Sequence, residues 1–432
     1  MITQSSPPDP ESGPRLRRAL GRWDLTAIGI NQVIGGAIFL MPAQVAAVIG
    51  GWSPIAVGAM GLASLCVALC LAELGSRFDG TGGLYLYARA AFGDFVGFEV
   101  GWMQWFARAS SQASIMAGTA VALGYYWPSL TAGRPRDAVI VTIAAALAWI
   151  NVRGVRQSAW VVDALTIAKL APLAVFIAAG LAHVDAARLA DLPPITIREA
   201  MAGALLLIFV YGGYEVVTVP AGESRNPRGD VPFALVATIV SVAAIMTLMQ
   251  VVAQGVLPNL AGHATPIADA AAVFLGGGGA LLVGAGSVVA MTGNNAGQVL
   301  TGSRALFALA EHGQLPRFFG RIHRRYRTPA NAVVFTSLVA VALALSGSFA
   351  SIAVVSALAR LVMYGSAAAA TLRLRATSGK AGFTAPFGPV IPVLAILITI
   401  GIGVGATRAQ LIGGGVALAS GVVLFAFAKR SG

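Results

Sequence analysis

An all-α polytopic membrane protein of twelve transmembrane helices is the fold class this sequence predicts, and three observations carry that expectation. The first is bulk chemistry: 57% of the 432 residues are hydrophobic and 11% charged, with a mean hydropathy of +0.79, whereas soluble domains run at about 25% charged. The second is the placement of the basic residues. The third is a pair of Gly-Gly steps at matching depths of two spans half a chain apart.

A bilayer crossing needs about 20 apolar residues, and twelve such stretches are separated by short polar connectors. They run over 24–48, 53–76, 95–127, 138–151, 160–182, 199–221, 232–255, 280–309, 331–348, 351–372, 390–407 and 411–428. Residues 1–22 form a polar, Arg-rich tail with no apolar core of signal-peptide length, so the first span is read as the targeting signal. Residues 23–372 make the transporter core, spans 1–5 and 6–10. Residues 373–432 carry spans 11 and 12 and a short C-terminus. The connector 256–279 holds an apolar run, Ile267 to Leu275, that reads as a plain loop or as a lid over an opening.

The formal net charge of +12 would suggest nucleic acid in a soluble chain. Read alternately, however, the connectors place Arg134, Arg136, Arg188, Arg198 and Arg408 on one side and nearly every other connector arginine and lysine on the opposite side. This is the positive-inside asymmetry, and it predicts two cytoplasmic termini and no nucleic-acid partner. Cys66 and Cys70, one helical turn apart in span 2, read as small buried side chains rather than a disulfide or metal pair.

Span 1 reads Asn31-Gln32-Val33-Ile34-Gly35-Gly36-Ala37-Ile38-Phe39 and span 6 reads Phe209-Val210-Tyr211-Gly212-Gly213-Tyr214-Glu215. Glycine costs a helix about 1 kcal/mol relative to alanine. One such pair alone is more simply explained by close helix packing, but two at corresponding places in five-span halves point to an inverted repeat with its site at the midplane. A break in hydrocarbon exposes backbone polar groups, tolerable only where they line a cavity. Amides at Gly36, Ala37 and Ile38 suit a carboxylate; carbonyls near Val33, Phe209 and Gly212 suit an ammonium. Together these describe a site for an amino acid.

At these residues the chain resembles the amino acid, polyamine and organocation transporter superfamily. The likeness rests on four stretches. The segment Ile34-Gly35-Gly36-Ala37-Ile38-Phe39 up to Met41-Pro42 is close to the family's Gly-Ser-Gly-Ile-Phe, with Gly36 and Ala37 departing from the usual pair. Ala72-Glu73-Leu74 with Gly82-Gly83-Leu84-Tyr85-Leu86-Tyr87 looks like its first cytoplasmic connector. Phe209 to Glu215, followed by Glu223-Ser224-Arg225-Asn226-Pro227 and Pro232, is similar to the tract after the sixth helix. Ser303-Arg304-Ala305-Leu306-Phe307, Gly313-Gln314-Leu315-Pro316 and Thr328-Pro329 match the eighth helix and its exit.

The resemblance implies a LeuT-like architecture, an inverted repeat of five plus five helices with two C-terminal helices, in the plasma (inner) membrane. Arg108-Ala109-Ser110-Ser111-Gln112 and Phe209 to Tyr214 place the chain nearest the L-type amino acid transporters and their bacterial relatives. That likeness makes Phe209 the gate, makes Gly35, Arg108 and Gln112 candidate substrate-binding residues, and sets Lys169 where a lysine in resembling transporters takes the place of a sodium ion. The cysteine that bonds a heavy subunit in animal members is missing, so no such partner is expected. Glu215 stands where those transporters have a neutral polar residue, which leaves branch and substrate open.

A charge at the centre of a membrane helix costs about 3 kcal/mol on insertion scales, which makes each one a candidate site. Lys169 lies nine residues into an apolar stretch, too deep for simple snorkelling, and reads as a coupling residue that exchanges a proton or serves as a fixed cation. Arg108 either binds a substrate carboxylate or pairs with an acid such as Glu99 or Glu215. Glu215 either carries a proton, as a second coupling residue, or makes a structural hydrogen bond. Asn294, Asn295 and Gln298 offer polar groups either to the cavity or to helix packing. Arg360 and Asp163 are assigned structural roles.

The function expected is secondary transport of amino acids, neutral or of broad specificity, by alternating access, through sodium-independent exchange or proton-coupled uptake. A polyamine or organic-cation exchanger is the alternative, though it should present more carboxylates at the midplane. An enzyme would need a metal or nucleophile constellation at membrane depth. His183, His263, His312 and His323 instead lie in or beside connectors without ligand spacing, so no cofactor, metal or catalytic residue is expected. A channel should lack paired broken helices or show rings of charge.

Overall fold

The computed structural model describes residues 20–78, 83–154 and 159–431, without the side chains of 159–168 and 429–431. Gly82 of the second family-like stretch, the side chain of Asp163 and most of the N-terminal tail lie outside the described residues.

The described chain is all-helical, and its helices run in chain order as α1 (Arg22–Val33), α2 (Ala37–Ile49), α3 (Ser53–Gly75), α4 (Leu84–Phe92), α5 (Asp94–Leu123), α6 (Gly133–Arg153), α7 (Ala159–Gly180), α8 (Ala186–Ala190), α9 (Ile197–Tyr211), α10 (Pro227–Val256), α11 (Pro266–Glu311), α12 (Ala330–Ser346), α13 (Phe349–Thr377), α14 (Val390–Gly403) and α15 (Arg408–Ser431). Among the described residues, seven helical stretches are long and apolar enough to cross a membrane, and three shorter ones, Lys169–His183, Ala330–Ser346 and Val390–Gly403, are apolar as well.

Large apolar side chains such as Leu62, Val141, Leu282, Leu338, Ile400 and Val416 project outward, each half or more exposed or nearly so. In water such a surface would drive association. In lipid it is the solvent-facing surface of an integral membrane protein.

Helix α5 is not among the seven, for a physical reason. Its 30 residues carry Glu99, Gln104, Arg108, Ser110, Ser111, Gln112 and Ser114, all buried. Packed between α11, α13 and α12, it meets protein on nearly every face and has no need of a lipid-compatible surface. Hydropathy alone therefore undervalues the central helix.

Spans 1 and 6 are each discontinuous. The α1 helix ends at Val33 and α2 begins at Ala37; α9 ends at Tyr211 and a 3₁₀ segment, Tyr214–Glu223, follows. The turn at Gly213 has φ of 129°, a conformation that side-chain-bearing residues rarely adopt. The apolar run Ile267 to Leu275 is helical: it is the first part of α11, bent off at Gly276 with φ of 68°, and it buries Ile267, Ala270 and Ala271. Away from this region, the fully buried Glu73 at the end of α3 accepts hydrogen bonds from Arg77 at 3.0 Å, Arg375 at 2.9 and 2.5 Å, and the Ala385 amide at 2.9 Å. That cluster ties α3 to the far end of α13 and the connector after it.

Candidate functional site

The two breaks meet at one closed space of about 10 Å³, lined by Val33, Gly35, Gly36 and Ala37 from span 1 and by Phe209 and Gly212 from span 6, with Ser111, Asn294, Gln298 and Arg360 on its other walls. It has room for about one water. Its backbone is shaped by close approach. A Cβ on Gly36 would enter the side chain of Met291, and one on Gly212 would enter the guanidinium of Arg360. At α2 the Phe39 amide donates to the Gly36 carbonyl at 3.2 Å, while the amides of Ala37 and Ile38 precede any acceptor within their own helix and carry the positive end of its dipole.

Of the other residues singled out in the sequence, Ile38 faces a separate small space with Met41, Pro42 and Val210. Gln112 is fully buried but lines neither space, and both polar atoms of its amide lack a partner. Asn295 is likewise buried with its amide unpartnered.

Behind the chamber lies a buried charge cluster. Glu215, 1% exposed, accepts hydrogen bonds on Oε1 from Arg108 Nη2 and Arg360 Nη1, both at 3.0 Å. On Oε2 it accepts from the Tyr364 hydroxyl at 3.0 Å and from the Gly213 amide at 2.8 Å. Arg108 thus pairs with Glu215 rather than Glu99, whose carboxylate oxygens lack a partner among the described residues and would crowd a Cβ on Gly421. Arg108 also reaches Gln298 Oε1 at 3.4 Å. Arg360 donates to Ser111 Oγ at 2.8 Å, and Ser111 meets Ser356 at 2.8 Å.

Arg360, read from the sequence as structural, therefore sits on the chamber wall. The signal for it was present: it is an arginine in the middle of an apolar span, the criterion that singled out Lys169.

Lys169 Nζ donates to the Asn31 carbonyl at 2.6 Å, in the last turn of α1, and Asn294 Nδ2 donates to the neighbouring Gln32 carbonyl at 3.0 Å. Carbonyls near a helix end have no partner within their own helix, and here a side-chain ammonium and amide supply donors. These two contacts lie on a cavity of about 490 Å³ that Asn31, Gln32, Lys169, Asn294 and Arg304 help to line. Gln32 and Asn294 border both spaces and form the partition between them.

Phe209 is buried, with its ring edge-on to Phe349 at 6.1 Å and 80°. Such pairs contribute about 0.5–1.5 kcal/mol beyond area burial. If this contact closes the chamber, Phe209→Ala should lower kcat/KM for uptake roughly three- to tenfold, whereas alanine in place of an exposed aromatic away from the chamber such as Phe387 leaves it unchanged. Uptake kinetics for the two variants side by side check this.

Comparison with known proteins bears on what such a chamber serves. The chain is 31% identical over 419 residues to an uncharacterized transporter of Mycobacterium tuberculosis, covering 95% of this chain and 93% of that protein. It is 31% identical over 403 residues to the serine/threonine exchanger SteT of Bacillus subtilis, covering 88% and 89%. To the arginine/ornithine antiporter of Pseudomonas aeruginosa it is 30% identical over 352 residues, covering 76% and 70%. These relatives are transporters, not enzymes. Residues 20–427 match the family model described as amino acid permease, and the chain belongs to that family, within the amino acid, polyamine and organocation superfamily.

Proposed function

We propose that this permease is a secondary transporter that carries amino acids across the plasma membrane by alternating access, with twelve spans in a five-plus-five inverted repeat followed by two more and with both termini cytoplasmic. The observation that supports it most is the meeting of two broken helices at one closed chamber, beside a larger cavity that borders the same partition residues. That cavity reaches Arg304 and Thr328, which the charge asymmetry assigns to the cytoplasmic side, so the reading is of a state closed toward the outside. Phe209, on the chamber wall, packs against Phe349, and on this reading that contact and the bent first part of α11 lie on the outer side. Once the chamber, with room here for about one water, widens to admit it, the substrate meets the first-turn amides of α2 with its carboxylate and the carbonyls near Val33, Phe209 and Gly212 with its ammonium. Its class is neutral or broad.

Lys169 supports sodium-independent coupling, since an ammonium already rests on a span 1 carbonyl where a bound cation would otherwise be needed. Loss of that proton weakens the contact between α7 and the end of α1, because the neutral amine donates without the help of charge. The two protonation states then favour different openings of the bundle, as differential stabilisation requires. Protons are the coupling partner on this reading; with the lysine as a fixed cation the transporter is an exchanger. A polyamine or organic-cation substrate is disfavoured by the two arginines beside a single carboxylate.

Counterflow of labelled amino acids in proteoliposomes tests the carrier. Uptake should proceed without sodium, and Lys169→Ala should depress it and flatten its pH dependence. Strict sodium dependence, or a variant indistinguishable from wild type, overturns the role of Lys169. Absence of counterflow for every amino acid overturns the transporter reading.

A further inference from the structure

The chamber wall and the charge cluster behind it together hold one more positive charge than they balance. Arg108 and Arg360 are each 1% exposed, and so is Glu215, the one acid within ion-pair distance of either guanidinium among the described residues. The remaining partners of the two arginines, Gln298 and Ser111, are neutral, and Tyr364 donates to Glu215 without changing the count. A buried charge without a counter-charge is costly, so a chain that keeps one gains from a ligand that supplies the missing anion.

Arg360 is the guanidinium free to take it. Its Nε is buried with no hydrogen-bond partner, and Nε and Cζ lie against Gly212 on the wall of the chamber. If Arg360 turns toward a ligand, Glu215 keeps three donors, Arg108, Tyr364 and the Gly213 amide. Turning would cost Arg360 its contact with Ser111 as well as Glu215, and Arg108 its contacts with Gln298 and Glu215, but of the two only Arg360 lines the chamber. The same chamber is bordered by Gly36 and Ala37, where the first turn of α2 favours an anion. Two anion-receiving positions therefore face one small space.

We propose that the substrate bears two carboxylates: an acidic amino acid, with its α-carboxylate on the α2 amides and its side-chain carboxylate on Arg360. The single net negative charge of aspartate or glutamate balances the single excess positive charge of the wall. Arg108 acts through Glu215 as a positioning residue. This rests on the carrier reading and replaces its neutral or broad substrate class with an acidic one.

The test is uptake by wild-type protein in proteoliposomes of labelled glutamate, aspartate, serine, leucine and arginine, with and without chloride. Glutamate or aspartate should show at least about tenfold higher kcat/KM than serine or leucine, the scale of a charge-assisted hydrogen bond. Arg360→Gln should lower the acidic-to-neutral ratio by a similar factor, and Arg360→Lys should retain part of it. Thermal stabilisation of the wild type by each amino acid gives a reading independent of how the variants fold, and glutamate or aspartate should stabilise most. Serine or leucine uptake that ignores about a hundredfold excess of glutamate and aspartate overturns the proposal and leaves the carrier intact. Neutral uptake that requires chloride assigns the charge to an inorganic anion and overturns it. Preference for arginine overturns it too, and no uptake of any amino acid overturns both readings.

Discussion

Glu215→Gln should be the most damaging single substitution in the charge cluster behind the chamber. In the native chain one carboxylate holds Arg108 from α5, Arg360 from α13 and the backbone at Gly213, so it ties three elements at the place where span 6 is unwound. Without its charge, two guanidiniums remain buried against each other. Breaking a buried ion pair by removing one partner costs about 3–5 kcal/mol, and here two pairs share the partner. The purified variant should melt well below wild type and show no measurable uptake. Adding Arg360→Gln should recover part of the melting temperature, because the double variant keeps one buried charge in excess, as the wild type does, instead of two. This sign of non-additivity is what a shared network predicts. Losses that simply add, or a Glu215→Gln protein as stable as wild type, would show that the cluster does not hold these helices together.

The contrast between Lys169 and Arg360 shows where sequence reading succeeds and where it stops. Both are cations deep in apolar spans, and the cost of burying a charge marks both. Which group each one meets depends on the register of packed helices. Arg360 and Glu215 are 145 residues apart in the chain, and no local pattern brings them to 3.0 Å. The choice of Glu215 over Glu99 as partner for Arg108 is of the same kind.

The breaks in spans 1 and 6 were legible because glycine pairs weaken a helix locally, whatever it packs against. The first part of α11 was only half legible. Its apolar run was clear, but Gly276 to Gly279 reads as the end of a loop. In the structure Gly276 alone takes the bend, and helix continues on both sides. The polar character of α5 misleads any scan that equates a membrane helix with a lipid-facing one.

Gly36→Leu and Gly212→Leu should each abolish uptake while leaving an inserted, folded protein. Neither glycine is the strained one: Gly212 is extended, with φ of −68° and ψ of 143°, and Gly36 is in the right-handed helical region. Leucine can adopt both backbones, so the objection to it is the space it fills. At Gly36 the new side chain runs into Met291 and meets Ile115 at 3.2 Å from its first carbon. Its branch would stand over the α2 amides where a carboxylate is expected. At Gly212 it displaces the Arg360 guanidinium and covers the carbonyls of the span 6 break. Overpacking of this kind costs about 1–3 kcal/mol, enough to lower the melting point but within what a folded membrane protein survives. Loss of uptake should therefore exceed loss of stability, and alanine at Gly36 should be intermediate, since a methyl group forces Met291 to shift at its Cγ but carries no branch over the α2 amides. Gel-filtration profile, melting temperature and counterflow measured on the same preparations separate the two effects. Normal counterflow in both leucine variants would mean that the substrate does not bind where the two helices break.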